Sequence, residues 1–226
     1  MKNKIFISFI LLFGLLFLPN NTCATDIPPF SAPHASAGVY GTINPANPPA
    51  LAYYKTIVII ASSCTSTATN GADLATNEYA TNDINEDFYS FDGTTEQYIE
   101  KSFPMPRDWD RSTVKVNFYW SSATGSTAGD TCEWEARAGA ISDGDAIDAA
   151  LGTSQVITDT LLADNGGDMQ TTSFTPALTV GGTPALNDDV HWKFSRNVGG
   201  TDNMTEDAWL FKIVISYLAN QAVAAP

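Results

Sequence analysis

The chain is expected to fold as an all-β antiparallel sandwich of jelly-roll type, with eight to nine strands behind an extended Pro-rich N-terminal arm. Three observations lead there. Apolar residues recur with a period of two in several segments, most clearly in Thr113–Trp120, where Val114, Val116, Phe118 and Trp120 alternate with Lys115, Asn117 and Tyr119. No apolar stripe of helical period runs beyond about ten residues. Clusters of Gly, Pro, Asn and Asp punctuate the chain at short intervals, as turns between strands do.

Composition sets the outer limits. The 226 residues are 44% hydrophobic and only 16% charged, which excludes disorder and a coiled coil for the bulk of the chain. Eleven basic residues stand against 25 acidic ones, a formal net charge of −14. Such a field repels nucleic-acid phosphates and anionic membrane surfaces, so neither is an expected partner.

Residues 1–24 have the layout of a secretory signal. Lys2 and Lys4 precede the apolar run Ile5–Leu18, Pro19-Asn20-Asn21 breaks it, and Thr22-Cys23-Ala24 supplies small residues for cleavage. The run is shorter than the ~20 residues needed to span a bilayer. A secreted or cell-surface location follows, with no membrane association after cleavage. Cleavage leaves Cys64 and Cys132, which are expected to bond in an oxidising compartment; two buried free thiols are the alternative. Residues 25–52 hold six of the twelve prolines and read as an extended arm. Phe30 and Tyr40 on it are candidate contacts to a neighbouring subunit.

The domain proper is expected over 53–226. Tyr53–Ala61 is a β-branched strand, and 62–86 reads as a long polar loop. Phe88–Phe91 ends at the Asp92-Gly93 turn, and Gln97–Phe103 at a Pro-Met-Pro break. After Thr113–Trp120, Thr131–Ala138 repeats the alternation. Ile141–Leu151 is expected to hold one helical turn capped by Asp143 or Asp145. Gln155–Leu162, Thr171–Val180, the alternating stretch around Val190, Trp192 and Phe194, and Ala208–Tyr217 complete the strands. The last is apolar on both faces. Outward Leu210 and Val214 would mark a subunit interface; a central strand covered by a loop would also account for them.

The run FDGTTEQYIEKSFPMPRDWDRSTVKVNFYWSSATGSTAGDTCEWEARAGAISDGDAID, with VHWKFSRN, TDNMTEDAWL and FKIVISY after it, resembles single jelly-roll virion structural proteins of phages and prophages. The resemblance covers Phe88 to Tyr217. It implies an oligomeric, non-enzymatic role, here in a secreted form. Its motifs are not catalytic, and the signal peptide departs from the pattern of virion proteins, which assemble in the host cytoplasm.

Catalytic equipment is sparse. There is no Gly-x-Ser-x-Gly elbow, and the two histidines are His34 in the arm and His191 in a strand. Glu133 and Glu135 share a strand face about 7 Å apart, a spacing open to glycosidase chemistry, but Arg137 on the same face favours an ion-pair ladder. Asp143, Asp145 and Asp148 are candidate oxygen ligands for Ca2+, against solvated, capping carboxylates as the alternative. Asn82, Asp83, Glu86 and Asp87 form a second acidic cluster. The reading is a secreted, non-enzymatic assembly protein, a homo-oligomer such as a trimer or filament. The alternative is a carbohydrate-binding sandwich using exposed aromatics such as Tyr54, Trp109 or Tyr119, and a glycoside hydrolase-like enzyme comes third.

Overall fold

The computed structural model describes residues 52–164 and 166–220. The expected signal segment and the expected arm residues Phe30, His34 and Tyr40 lie outside the described residues. Eleven strands follow in order: β1 (Ala52–Ile60), β2 (Thr65–Ser66), β3 (Asp73–Tyr79), β4 (Ile84–Phe91), β5 (Tyr98–Pro104), β6 (Trp109–Ser122), β7 (Thr131–Ile141), β8 (Gln155–Thr160), β9 (Gln170–Thr171), β10 (Asp189–Arg196) and β11 (Ala208–Asn220). Among the described residues the one helical element is the 3-10 turn Ala61–Ser63, and no helix is long and apolar enough to cross a membrane.

The strands pair antiparallel in two sheets, β3-β4-β11-β6-β9 with β1 also on β11, and β2-β5-β10-β7-β8. Within them, β4-β11-β6-β9 over β5-β10-β7-β8 is the strand order of an eight-stranded jelly roll. β1, β2 and β3 extend it. The expected fold class holds, with more strands than the eight to nine foreseen.

Alternation explains the core. Val114, Val116, Phe118 and Trp120 of β6 point inward, and so do Trp134, Ala136 and Ala138 of β7 and Val190, Trp192 and Phe194 of β10. Trp134 is stacked on Phe118 at 5.5 Å and meets Phe91 edge-on at 5.2 Å, tying the two sheets together. Arg196, wholly buried, closes one end of this core. It donates to both Asp202 oxygens at 2.7 and 2.8 Å and to the carbonyls of Phe91, Met204 and Glu206.

Five expectations are corrected. Leu210 does not face outward. A β-bulge between Leu210 and Lys212 leaves Phe211 without a partner on β6 and switches the phase of β11. Ala208 and Leu210 point into the core before the bulge, and Ile213, Ile215, Tyr217 and Ala219 after it. The two-sided apolar pattern is one inward face read across a one-residue slip. Only Val214, half-buried on the outer face, keeps its expected place.

The polar stretch 62–86 is not one long loop. It contains β3, an edge strand whose side chains are exposed or half-buried throughout, so no apolar alternation announces it. Thr171–Val180 is strand only at its start. Beyond it the chain follows the edge of β6, with Leu178 exchanging backbone bonds with Val114, while the Thr175 and Thr172 hydroxyls accept from the amides of Val116 and Phe118 at 3.0 and 3.1 Å. Pro176, which lacks an amide hydrogen, sits in this stretch. Ile141–Leu151 holds no helical turn; it is a series of turns and bends.

The expected disulfide is absent. Cys64 and Cys132 are both buried free thiols. Cys64 follows the 3-10 turn, where its carbonyl accepts from the Tyr89 hydroxyl at 3.0 Å, whereas Cys132 lies within β7. Burial pushes the Cys64 thiol up to about 11 and the Cys132 thiol well above the ordinary range, so both stay protonated.

Candidate functional site

The outer face of the five-stranded sheet carries a charged platform. Register sets Glu100 of β5 beside Lys193 of β10, and Lys193 beside Arg137 of β7. The adjacent row holds Ser102, His191 and Gly139. Glu100 lies 3.3 Å from Lys193 Nζ and 3.5 Å from His191 Nε2. The Tyr98 ring sits beneath two cations, with Lys193 Nζ 4.3 Å and Arg137 5.7 Å from its centroid.

A wall rises beside this platform. Gly139 permits it, because a Cβ there would come within 3.1 Å of Leu151 and 3.2 Å of the Ala150 carbonyl. The segment after β7 is pinned at both ends. Asp145 accepts from the Ser142 amide, the Ser142 hydroxyl donates to Asp188, and the Gly152 amide bonds the Ala138 carbonyl. Between these ties Ile147, Asp148 and Leu151 line a cleft of about 340 Å3, floored by Glu100, His191 and Lys193. The segment expected to bind Ca2+ therefore serves as a wall. Among the described residues no three His, Cys, Asp or Glu side chains gather as metal ligands, so the side chains of Asp143, Asp145 and Asp148 are not brought together as a set, nor are those of the Asp83–Asp87 cluster.

The opposite outer face, on the six-stranded sheet, is aromatic. The bulge turns Phe211 outward, and Phe88 contacts it at 5.4 Å and stacks on Trp209 at 4.7 Å. Phe211 floors a second pocket of about 290 Å3, walled by Tyr79, Ile84 and Met169, with Glu86 and Ser121 as its polar side chains. Gly166 and Gly167, both at positive φ, let the chain close on β6, where the Gly167 amide donates to Ser121 Oγ at 3.0 Å. Glu86 stood out in the sequence only as one of an acidic cluster. The out-turned Phe211 left no signal apart from the doubled apolar pattern of β11.

Glu133 and Glu135 share a face as expected but line neither cleft. Burial pushes the Glu133 carboxyl up, yet bonds from Thr201, Thr158 and Asn197 outweigh it and hold the group below the usual range. Burial raises Glu135, opposed by Arg137 at 3.5 Å. Of the aromatics expected to be open, Trp109 is buried, Tyr119 half-buried and Tyr54 71% exposed.

No family model matches the chain, and no curated protein sequence matches it. Among solved structures, the exo-β-1,3-galactanase of Phanerochaete chrysosporium with galactose aligns at 12% identity and a TM-score of 0.40, over 71% of this chain and 29% of that one. The infectious bursal disease virus Gx strain structure aligns at 7% identity and 0.34, over 76% and 33%. The family 11 carbohydrate-binding module of a cellulosomal cellulase of Clostridium thermocellum aligns at 15% and 0.31, over 74% and 88%. At these scores the neighbours carry no functional assignment, and the jelly-roll topology stands on the sheet order itself.

Proposed function

We propose that the protein is a non-catalytic, saccharide-binding β-sandwich module, exported through its N-terminal leader, whose ligand lies in the cleft over Glu100, His191 and Lys193. The observation that carries this reading is the convergence of these three polar side chains and Asp148 against an apolar wall in a cleft of about 340 Å3. The Glu100 contacts, at 3.3 and 3.5 Å, are longer than the ~2.7–2.9 Å of strong charge-assisted bonds. The side chains keep 24–31% exposure, so they can turn to hydroxyl groups at little cost. Glu133, saturated by its own partners, and Glu135, beside Arg137, support binding without hydrolysis.

A glycan array probed with the full chain tests this, followed by calorimetric titration of any retained glycan. Lys193→Met and Glu100→Gln are each expected to weaken binding by roughly tenfold or more, the worth of a charged hydrogen bond. An array with no retained glycan, or affinities untouched by both changes, would overturn the reading.

One observation favours a second reading, a self-associating subunit of a virion-like or filament-like assembly. β1 pairs only with β11 among the described strands. On it Tyr54, Val58 and Ile60 are exposed, with Val58 beside the half-buried Val214. An apolar edge strand is a template for pairing with another chain. Sedimentation velocity of the wild type against Val58→Lys separates the two readings, because only an assembly subunit changes mass.

A further inference from the structure

We infer that the pocket on the outer face of the six-stranded sheet binds a small organic ammonium ion carried on an aromatic or branched aliphatic body. This site is on the other sheet from the saccharide cleft and does not depend on it.

The pocket is largely apolar and carries a single charge. Its floor is the Phe211 ring, and its lips Ile84 and Met169 are each 49% exposed. Glu86 is the only ionised group among its lining side chains; no Lys, Arg or His lines it. No described residue forms an ion pair or hydrogen bond with the Glu86 carboxylate, unlike Glu100 and Glu133. Ser121 Oγ already accepts from the Gly167 amide and keeps its own hydrogen to donate. Tyr79 adds a ring to the wall; burial raises its phenol, so it stays neutral.

Three classes of ligand can be weighed against this lining. An anion meets Glu86 and the net charge of −14 and is repelled. A neutral apolar molecule covers Glu86 and strips its water without replacing it, a cost for any unpaired carboxylate. An ammonium pairs with Glu86 while its body packs against Ile84 and Met169 above the buried Phe211, and the half-buried Tyr79 ring attracts positive charge. At about 30 Å3 per water-sized group, 290 Å3 holds roughly ten non-hydrogen atoms, the size of phenethylammonium.

The experiment titrates the full chain with phenethylammonium, 2-phenylethanol and phenylacetate by calorimetry at low and high salt. Phenethylammonium is expected to bind about tenfold or more tighter than the alcohol and to weaken with salt, and phenylacetate is not expected to bind. Glu86→Gln should bring the ammonium and the alcohol to equal affinity. Met169→Lys, at an exposed lip where folding is not at stake, should abolish ammonium binding by placing a tethered cation at the mouth. Equal affinity for the ammonium and the alcohol in the wild type overturns the inference. So does ammonium binding that survives both substitutions, or no binding at about ten millimolar.

Discussion

Glu133 and Glu135, two residues apart on the outer face of β7, are displaced from the ordinary carboxylate range in opposite directions. Glu133 receives bonds from the hydroxyls of Thr201 at 2.6 Å and Thr158 at 3.1 Å and from the Asn197 amide at 2.5 Å. Glu135 has Arg137 at 3.5 Å, too little to offset its burial. Donor count sets the sign. One carboxylate anchors the turn after β10 to the sheet, and the other weakens the fold when ionised.

Glu133→Gln should therefore destabilise the protein near neutral pH, by about 1–3 kcal/mol for buried donors left poorly matched. A depressed carboxyl contributes stability above its unfolded value near 4.3, and that contribution is lost as pH falls through the folded value. The gap between variant and wild type should thus narrow in acid. Urea unfolding at neutral and acidic pH reads this directly, and a gap constant with pH would show that the carboxylate charge is not what holds the turn.

Glu135→Gln should do the reverse. A carboxyl raised in the folded state penalises folding as pH climbs from its unfolded value through the raised one, and the penalty persists above that window. The glutamine variant is then more stable than wild type at neutral pH, with the gain vanishing at acid pH below the unfolded value. Midpoints of thermal unfolding across the same pH range check it. A loss at neutral pH would mean that the Arg137 pair outweighs desolvation.

The thiols give a third test. Cys64 and Cys132 should both be unreactive towards a thiol reagent in the native protein and both react after unfolding. Reductant should leave the unfolding midpoint unchanged. A disulfide would reveal itself by a loss of about 2–5 kcal/mol on reduction.

Arg196→Met should cost about 3–5 kcal/mol, because it strands Asp202 in the core. Replacing Asp202 as well should recover little. The carbonyls of Phe91, Met204 and Glu206 also lose their donor, and an apolar pair cannot serve them. Denaturant titration of the single and double variants separates a simple ion pair from this wider role.

What was legible in the sequence tracks how each strand meets the solvent. β6 and β7 are central and alternate apolar with polar side chains, so they announced themselves, although β7 is buried on both faces. β3 lies at an edge with side chains exposed or half-buried along its length and announced nothing. The Glu100–Lys193–Arg137 row joins residues from three strands far apart in the chain. Register alone brings them together, and no spacing in the sequence encodes it. Cysteine spacing likewise says how long a loop would be, not whether two thiols meet.

The bulge in β11 yields the last prediction. Leu210 pairs with Trp120 and Lys212 with Tyr119, so at this bulge Phe211 is opposite nothing on β6. Deleting it leaves Leu210 inward, Lys212 outward and Ile213 inward, an unbroken alternation with every register partner kept. The deletion should therefore fold, with a single cooperative transition. Its cost should be about 3–5 kcal/mol, as for truncating a buried Phe, since Phe211 is only 2% exposed beside Phe88. It should also remove the floor of the aromatic pocket and with it phenethylammonium binding, while leaving the opposite cleft unaffected. Circular dichroism, denaturant titration and calorimetry on this one variant check all three. An unfolded product would show that the local bend made by the bulge, rather than the inward pattern alone, is needed to join β4 and β1 to the same side of β11.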